Sequence, residues 1–413
     1  NAPELPIARA SDYLGIMEDA GVMLHVRDRE ASILKQAQAL AADLDGEIPE
    51  DAELLRELAN LVEYPLVLRG SFDDDYLRLP QEVLLAVMRK HQRYLPVMRD
   101  DRLLPCFIAV ANGRALDIDA VRRGNEEVLR ARYADAAYFY RKDIERPLEA
   151  YTPRLATLTF QEQLGSVLDK VKRLERLVPD LCEMLDLSAD ERATALRAVS
   201  LCKSDLVTKL VIELTSLQGQ MGRHYARLAG ESPEVAQAIA EHYLPRFMGD
   251  DLPKGMAGVT VGLADRLDTL VGLFAVGIRP SGGADPWGLR RAALGLIQLL
   301  VGKDLSLSAP QALSLAAESL PVHTDEQLLS EVFDYIKRRY RGWLLDSGFR
   351  YDMVDAVLAE RAYDPALAKH TLDDFAPWVQ LDFWQGMLDN YARCVRITRD
   401  LETVYPVDEK RFA

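Results

Sequence analysis

Apolar positions along this 413-residue chain change their spacing twice, and the changes divide it into three stretches. Residues 1–60 read as helix, with a run rich in Ala, Leu and Gln from Asp28 to Leu44 that stops at the Asp45-Gly46 turn. The period then shortens. Tyr64–Arg69, Tyr94–Met98 and Cys106–Ala111 are short apolar runs bounded by Pro, Gly and Asp, which predicts three strands. A helix over Pro80–Arg89 is expected between the first two, with Pro80 in its first turn. Helical spacing returns over Arg122–Arg146, and from Thr157 to Gly302 only helices are expected. Their apolar stripes are Leu164, Val167, Val171, Leu174 and Val178; Leu196, Val199, Leu206, Leu210, Leu214 and Leu217; and Val261, Ala264, Leu267, Leu270 and Phe274. A further helix, Trp287–Val301, has Asp285 as its expected N-cap and Pro286 at its first position, after a flexible Gly282-Gly283. Residues from Asp325 onward read as helical, with breaks at Pro321 and Pro365. The fold class implied is mainly α with an N-terminal α+β domain. The boundaries expected are residues 1–150, 151–320 and 321–413.

Composition changes this picture little, and charge changes it more. No apolar run approaches the roughly 18 residues of a membrane span. The opening residues lack the charged and apolar regions of a signal peptide, and Asn1 in place of Met suggests a processing or fragment boundary. Four widely separated cysteines, with no CxxC pair, argue against a zinc ribbon or a disulfide framework and fit a reducing cytoplasm. The net charge of −15 counts against nucleic-acid binding. However, residues 1–60 carry thirteen acids against five bases, more than half of the excess, so a local basic face elsewhere is compatible with the total.

The common catalytic signatures do not occur: there is no GxxxxGK[ST], GxGxxG, HExxH or GxSxG, and no nucleotide-binding loop of a synthetase. The helical block raises one specific alternative, a metal-dependent phosphohydrolase of the HD superfamily. Lys203-Ser204-Asp205, read as mid-helix, falls where a His-Asp pair would be, and Asp265 or Asp268 would supply the later carboxylate. No His-Asp dipeptide occurs, and a Lys ammonium has no lone pair for a metal. The competing reading is an Asp–Lys contact between packed helices. His224 and His242 are expected as half-buried hydrogen-bonding groups, and His91 as a structural or RNA-contacting residue at a strand entry. Basic side chains recur beside aromatic ones. The candidates for nucleic-acid contact are Arg122, Arg123, Arg130, Arg132, Arg290, Arg291, Arg338 and Arg339, with Tyr340 and Trp343 as candidate base-stacking rings. Each also reads as an ordinary solvated helix face.

The wording of seven blocks is more specific. They are His91-Gln-Arg-Tyr-Leu-Pro-Val97 with Leu104–Asn112, Gly124–Phe139, Phe160–Gly165, Lys203–Leu206, Gln218–Ala226, Tyr243–Phe247 and Asp285–Arg291. In this order they resemble the β subunit of the bacterial two-subunit glycyl-tRNA synthetase. The resemblance implies a subunit that binds tRNA(Gly) for charging by a separate α subunit in a heterotetramer. ATP, with Mg, would be used by the α subunit, and this chain would bind no cofactor and have no complete active site. Neither DNA nor a membrane would be a partner. It also implies a degenerate HD-like helical domain without metal, with Lys203, Asp205, Asp265 and Asp268 at the former metal positions. A helical anticodon-binding region would begin near the end of the chain, making this an internal fragment.

Overall fold

The computed structural model describes residues 5–113, 117–280 and 285–400. The chain groups into two units, one made of residues 1–175, 189–243 and 253–261 and the other of residues 176–188, 244–252 and 262–413.

In the first unit, α1 (Tyr13–Asp19), α2 (Val26–Ala42) and α3 (Ala52–Leu61) precede a three-stranded antiparallel sheet. α3 starts where the Asp51 carboxylate accepts from the Leu54 N–H at 2.9 Å, supplying a partner that the first helical turn lacks. The sheet has the order β1 (Pro65–Ser71), β3 (Arg102–Asn112), β2 (Leu95–Arg99), and its strands cover the three apolar runs. β2 turns into β3 through Asp100 and Asp101, both at positive φ, the two-residue hairpin geometry that matches strand twist. Alternation along β3 sends Cys106 and Ile108 into a core with Ile33, Ala37, Leu54 and Leu58 of the helices. Phe107 points the other way and stacks on Tyr94, with ring centroids 4.4 Å apart. Its cross-strand neighbour is Gly70, where a Cβ would lie 2.3 Å from the Phe107 ring. Next come α4 (Gln81–Val87) and α5 (Ile118–Asp143). Pro80 is the N-cap of α4 rather than part of its first turn, and a π-helical turn over Met88–Gln92 carries His91.

The rest of the chain is not purely helical. A two-stranded ribbon, β4 (Thr159–Gln161) with β5 (Gly165–Ser166), precedes α6 (Val167–Met184). The long stripe from Leu196 to Leu217 is not one helix either. It breaks into α7 (Ala189–Leu201), a 3-10 turn over Ser204–Val207, α8 (Lys209–Glu213), a second 3-10 turn over Thr215–Leu217 and then α9 (Gln220–Leu228). Thr208 is extended at the break, and its hydroxyl donates to the Asp205 carbonyl at 2.7 Å. The broken path still buries Val199, Leu210, Leu214 and Leu217, so apolar spacing alone does not distinguish it from a continuous helix. α10 (Pro233–Glu241) has Ser232 as N-cap and Pro233 at its first position, and α11 (Met256–Ala275) follows.

The second unit contains α12 (Leu289–Gly302), α13 (Ala309–Glu318), α14 (Glu326–Asp346), α15 (Tyr351–Arg361), α16 (Pro365–Trp378) and α17 (Trp384–Thr398). Ser308, Asp325 and Asp364 cap α13, α14 and α16 through their side chains. α12 starts two residues later than its sequence signal suggests. The Asp285 carboxylate accepts from the N–H groups of Leu289 and Arg290, both at 2.8 Å, and Gly288 at φ +70° makes the extra turn. Gly282 and Gly283 lie outside the described residues. Among the described residues no helix is long and apolar enough to cross a membrane.

Candidate functional site

Lys203 and Asp205 sit not mid-helix but on the connection after α7, Lys203 at the start of a 3-10 turn and Asp205 within it. Both are buried, at 5% and 0% exposure. The Lys203 ammonium lies 2.8 Å from Nε2 of His242 and 4.1 Å from the centre of the Tyr243 ring. Nδ1 of His242 is 2.7 Å from the Ile239 carbonyl. A carbonyl only accepts and an ammonium only donates, so His242 is the neutral Nδ1–H tautomer and its Nε2 accepts a hydrogen bond from the lysine. The expected half-burial of His242 is corrected: it is fully buried. His224 is partly buried as expected, with Nε2 2.8 Å from the Tyr140 hydroxyl.

The glycines of Gln218–Ala226 explain how Asp205 is held. Its Oδ2 accepts from the N–H of Gly219 at 2.6 Å and of Gly222 at 3.1 Å, at the N-terminus of α9. The helix end supplies both donors and partial positive charge. Gly219 has φ +78°, and a Cβ there would meet the Tyr243 ring at 2.6 Å; at Gly222 it would meet Ile239 at 2.7 Å and Asp205 at 3.1 Å. Burial nevertheless pushes the Asp205 carboxyl up to about 6, against the pull of these N–H donors and of Lys203.

A second carboxylate does the same for α8 and gave no sequence signal. Asp143, the last residue of α5, accepts from the N–H groups of Lys209 and Leu210 at 2.8 and 2.9 Å and from the Tyr225 hydroxyl at 3.1 Å. Burial raises its carboxyl above the usual range, opposed by these hydrogen bonds. Nothing in the local sequence separates Asp143 from an exposed helix-end acid, because its partners are 66 and 67 residues away.

Asp265 and Asp268 belong to the other unit and lie on α11. Among the described residues no group of three His, Cys, Asp or Glu side chains is placed to hold a metal ion. The Lys203 ammonium donates to His242 and has no lone pair with which to ligate a metal.

The basic candidates separate by environment. On α5, Arg122 pairs with Asp119 and Arg130 with Glu127, at 2.6 and 2.9 Å. Arg123 and Arg132 are exposed. On α12, Arg290 is half-buried and Arg291 exposed. On α14, Arg338 is exposed, whereas Arg339 lies over the Tyr335 ring. Tyr340 is corrected outright: it is 1% exposed and donates to the Pro365 carbonyl at 2.6 Å, so its ring is core and has no face for a base. Trp343 is half-buried and packs on Tyr340, with centroids 5.9 Å apart. Its partner is that core tyrosine. Residues at i and i+3 lie on one face of a helix, so the two rings pack on each other rather than standing free beside the arginines.

Comparison with known proteins agrees with the seven blocks. The family model for the glycyl-tRNA synthetase beta subunit matches residues 1–359. A glycine–tRNA ligase beta subunit from Clostridioides difficile is 41% identical over 95% of this chain and 57% of its own length. One from Desulforamulus reducens is 44% identical over 86% of this chain and 52% of its own. A chloroplastic/mitochondrial glycine–tRNA ligase of Arabidopsis thaliana is 40% identical over 99% of the chain but only 38% of the relative. The chain thus spans about half the length of the bacterial relatives it matches. It belongs to the glycyl-tRNA synthetase beta subunit family.

Proposed function

We propose that this chain is the tRNA-recognising part of a glycine–tRNA ligase, binding and positioning tRNA(Gly) for ATP-dependent charging by a separate alpha subunit. The observation that carries this reading is the family match over residues 1–359. The exposed Arg123 and Arg132 on α5, Arg291 on α12 and Arg338 on α14 support it as positions for phosphate contact. ATP and Mg belong, in this reading, to the alpha subunit. The protein works in the cytoplasm, without DNA or a membrane as partner.

We assign the helical block to the HD type, with its metal chemistry lost. The buried Lys203–His242 contact and the carboxylate of Asp205 support this, because a lysine at a ligand position replaces the charge of a metal without its coordination. A phosphohydrolase activity is disfavoured by the same lysine.

The test is an electrophoretic mobility shift with tRNA(Gly), run with the complete subunit alone and with its alpha partner. A shift with the complex, competed by tRNA(Gly) in preference to other tRNAs, is the expected result. An alpha–beta complex in which removal of the beta subunit leaves tRNA affinity unchanged would reduce beta to a scaffold.

A further inference from the structure

A cavity of about 240 Å³ opens in the first unit beside α5. Its floor is apolar and buried, made by Val87 of α4, Ala136 of α5 and Leu214 after α8, and Phe139 of α5 lines it. Its rim carries four polar side chains of both signs: His91, Arg132, Asp135 and Glu213. Lys90 stands beside them, with Nζ 3.3 Å from the Glu213 carbonyl. An apolar cleft with a few convergent polar groups is the usual form of a small-ligand site. This one falls below the roughly 300–1,000 Å³ of drug-sized pockets, so it takes one planar ring rather than a whole nucleotide.

The rim decides what kind of ring. Asp135 and Glu213 only accept hydrogen bonds when ionised, and so suit exocyclic amines. His91 is held below its ordinary value by burial and by the neighbouring Arg132 and Lys90. Its imidazole is therefore neutral near pH 7, with one donor and one acceptor for a base edge. Arg132 and Lys90 provide cations at the mouth, where the phosphate of an inserted nucleotide would emerge. A purely apolar guest would leave these polar groups without use, and an anionic guest would meet two carboxylates.

We propose that this pocket receives a single unpaired nucleobase of the bound tRNA, with Phe139 against the ring and the Asp135 and Glu213 carboxylates on its amino edge. The inference rests on the tRNA-binding reading above and gives it one specific contact. His91 and Arg132, on different elements, converge on the same opening, and Arg132 is exposed on α5.

The test measures tRNA(Gly) affinity of the complete alpha–beta complex carrying Phe139→Leu, which keeps apolar bulk without an aromatic face, and separately the exposed double change Asp135→Ala with Glu213→Ala. Loss of a base–aromatic contact weakens binding about five- to a hundredfold, with the slope against salt unchanged. Abasic substitutions at each unpaired position of the tRNA then identify the guest: one of them should reproduce the loss and add nothing when combined with Phe139→Leu. If Phe139→Leu lowers the melting temperature, the exposed double change decides alone. Unchanged affinity in that variant, or no abasic position that reproduces the loss, overturns the proposal while leaving the function reading intact. Weaker alpha–beta association at unchanged tRNA affinity also overturns it and makes the pocket a socket for a protein side chain. Failure of the unaltered complex to bind tRNA at all sinks the function reading first and this inference with it.

Discussion

The Lys203 ammonium donates a hydrogen bond to Nε2 of His242 at 2.8 Å, and both side chains are buried. Together with the Nδ1 contact to the Ile239 carbonyl it fixes the tautomer of the histidine, and it places a positive charge near the buried Asp205 carboxyl. It links the connection after α7 to the residue that follows α10, so its removal is felt in two elements.

Replacing Lys203 by Met keeps the length of the side chain but removes the donor. His242 Nε2 then loses its partner and Asp205 loses its nearest compensating charge. Leaving a buried acceptor without its donor is expected to cost about 1–3 kcal/mol. A urea titration followed by circular dichroism measures it. A midpoint within error of the wild type would show that the lysine contributes nothing net.

Asp205 gives a pH-dependent signature of defined sign. Its carboxyl is raised to about 6 in the folded chain against 3.8 for the unperturbed group, so the folded state binds its proton more tightly. Its contribution to stability is present below about 4 and is lost as pH rises towards 6. Asp205→Asn has no such titration. The stability of the variant relative to wild type should therefore rise between pH 4 and pH 6 and level off above. Parallel stability curves for the two proteins across that window would place the Asp205 carboxyl at an ordinary value.

Asp143 makes a comparable test free of any lysine. Asp143→Ala leaves the Lys209 and Leu210 N–H groups and the Tyr225 hydroxyl without their acceptor, inside the fold. A loss of about 1–3 kcal/mol is expected for each buried group left unsatisfied. Hydrogen exchange should speed up first at the amides of Lys209 and Leu210. Unaltered exchange there would show that α8 is capped by other means.

The Asp285 carboxylate accepts two backbone N–H groups at the start of α12. Asp285→Ala should lower stability by about 1 kcal/mol, the usual cost of a lost N-cap. Thermal melting reads the change directly, and an unshifted midpoint would mean that these two N–H groups find solvent equally well.

The exposed and the paired arginines of α5 should behave differently towards RNA. Arg123→Ala and Arg132→Ala are each expected to lower the slope of log affinity against log salt by about 0.7–0.9, as one phosphate contact is lost. Arg122 and Arg130 already face Asp119 and Glu127, so their removal should change the slope less. Equal slopes for all four variants and wild type would assign these residues to ordinary solvated surface.

Elements whose signals are local were legible in the amino-acid pattern. The three strands lie over their apolar runs because alternation at period two makes one face of β3, with Cys106 and Ile108, match the stripes of α2 and α3. The stripes of α6 and α11 and the order of the seven blocks, which carry the family, are equally local. Features that depend on a distant partner were not legible there, because they are set by contacts across the fold. The stripe from Leu196 to Leu217 satisfies helical spacing, yet the chain breaks there, and the break lets the Asp205 carboxylate reach N–H donors at Gly219 and Gly222. Tyr340 looks like an exposed ring beside arginines until Pro365 provides the acceptor that buries it. Asp143, 66 residues before its first backbone partner, has no local mark at all. Hydrophobic period reports which side of an element is buried; it does not report where a buried carboxylate, ammonium or hydroxyl finds its hydrogen bond, and that pairing, made across the fold, distinguishes a packing residue from a site.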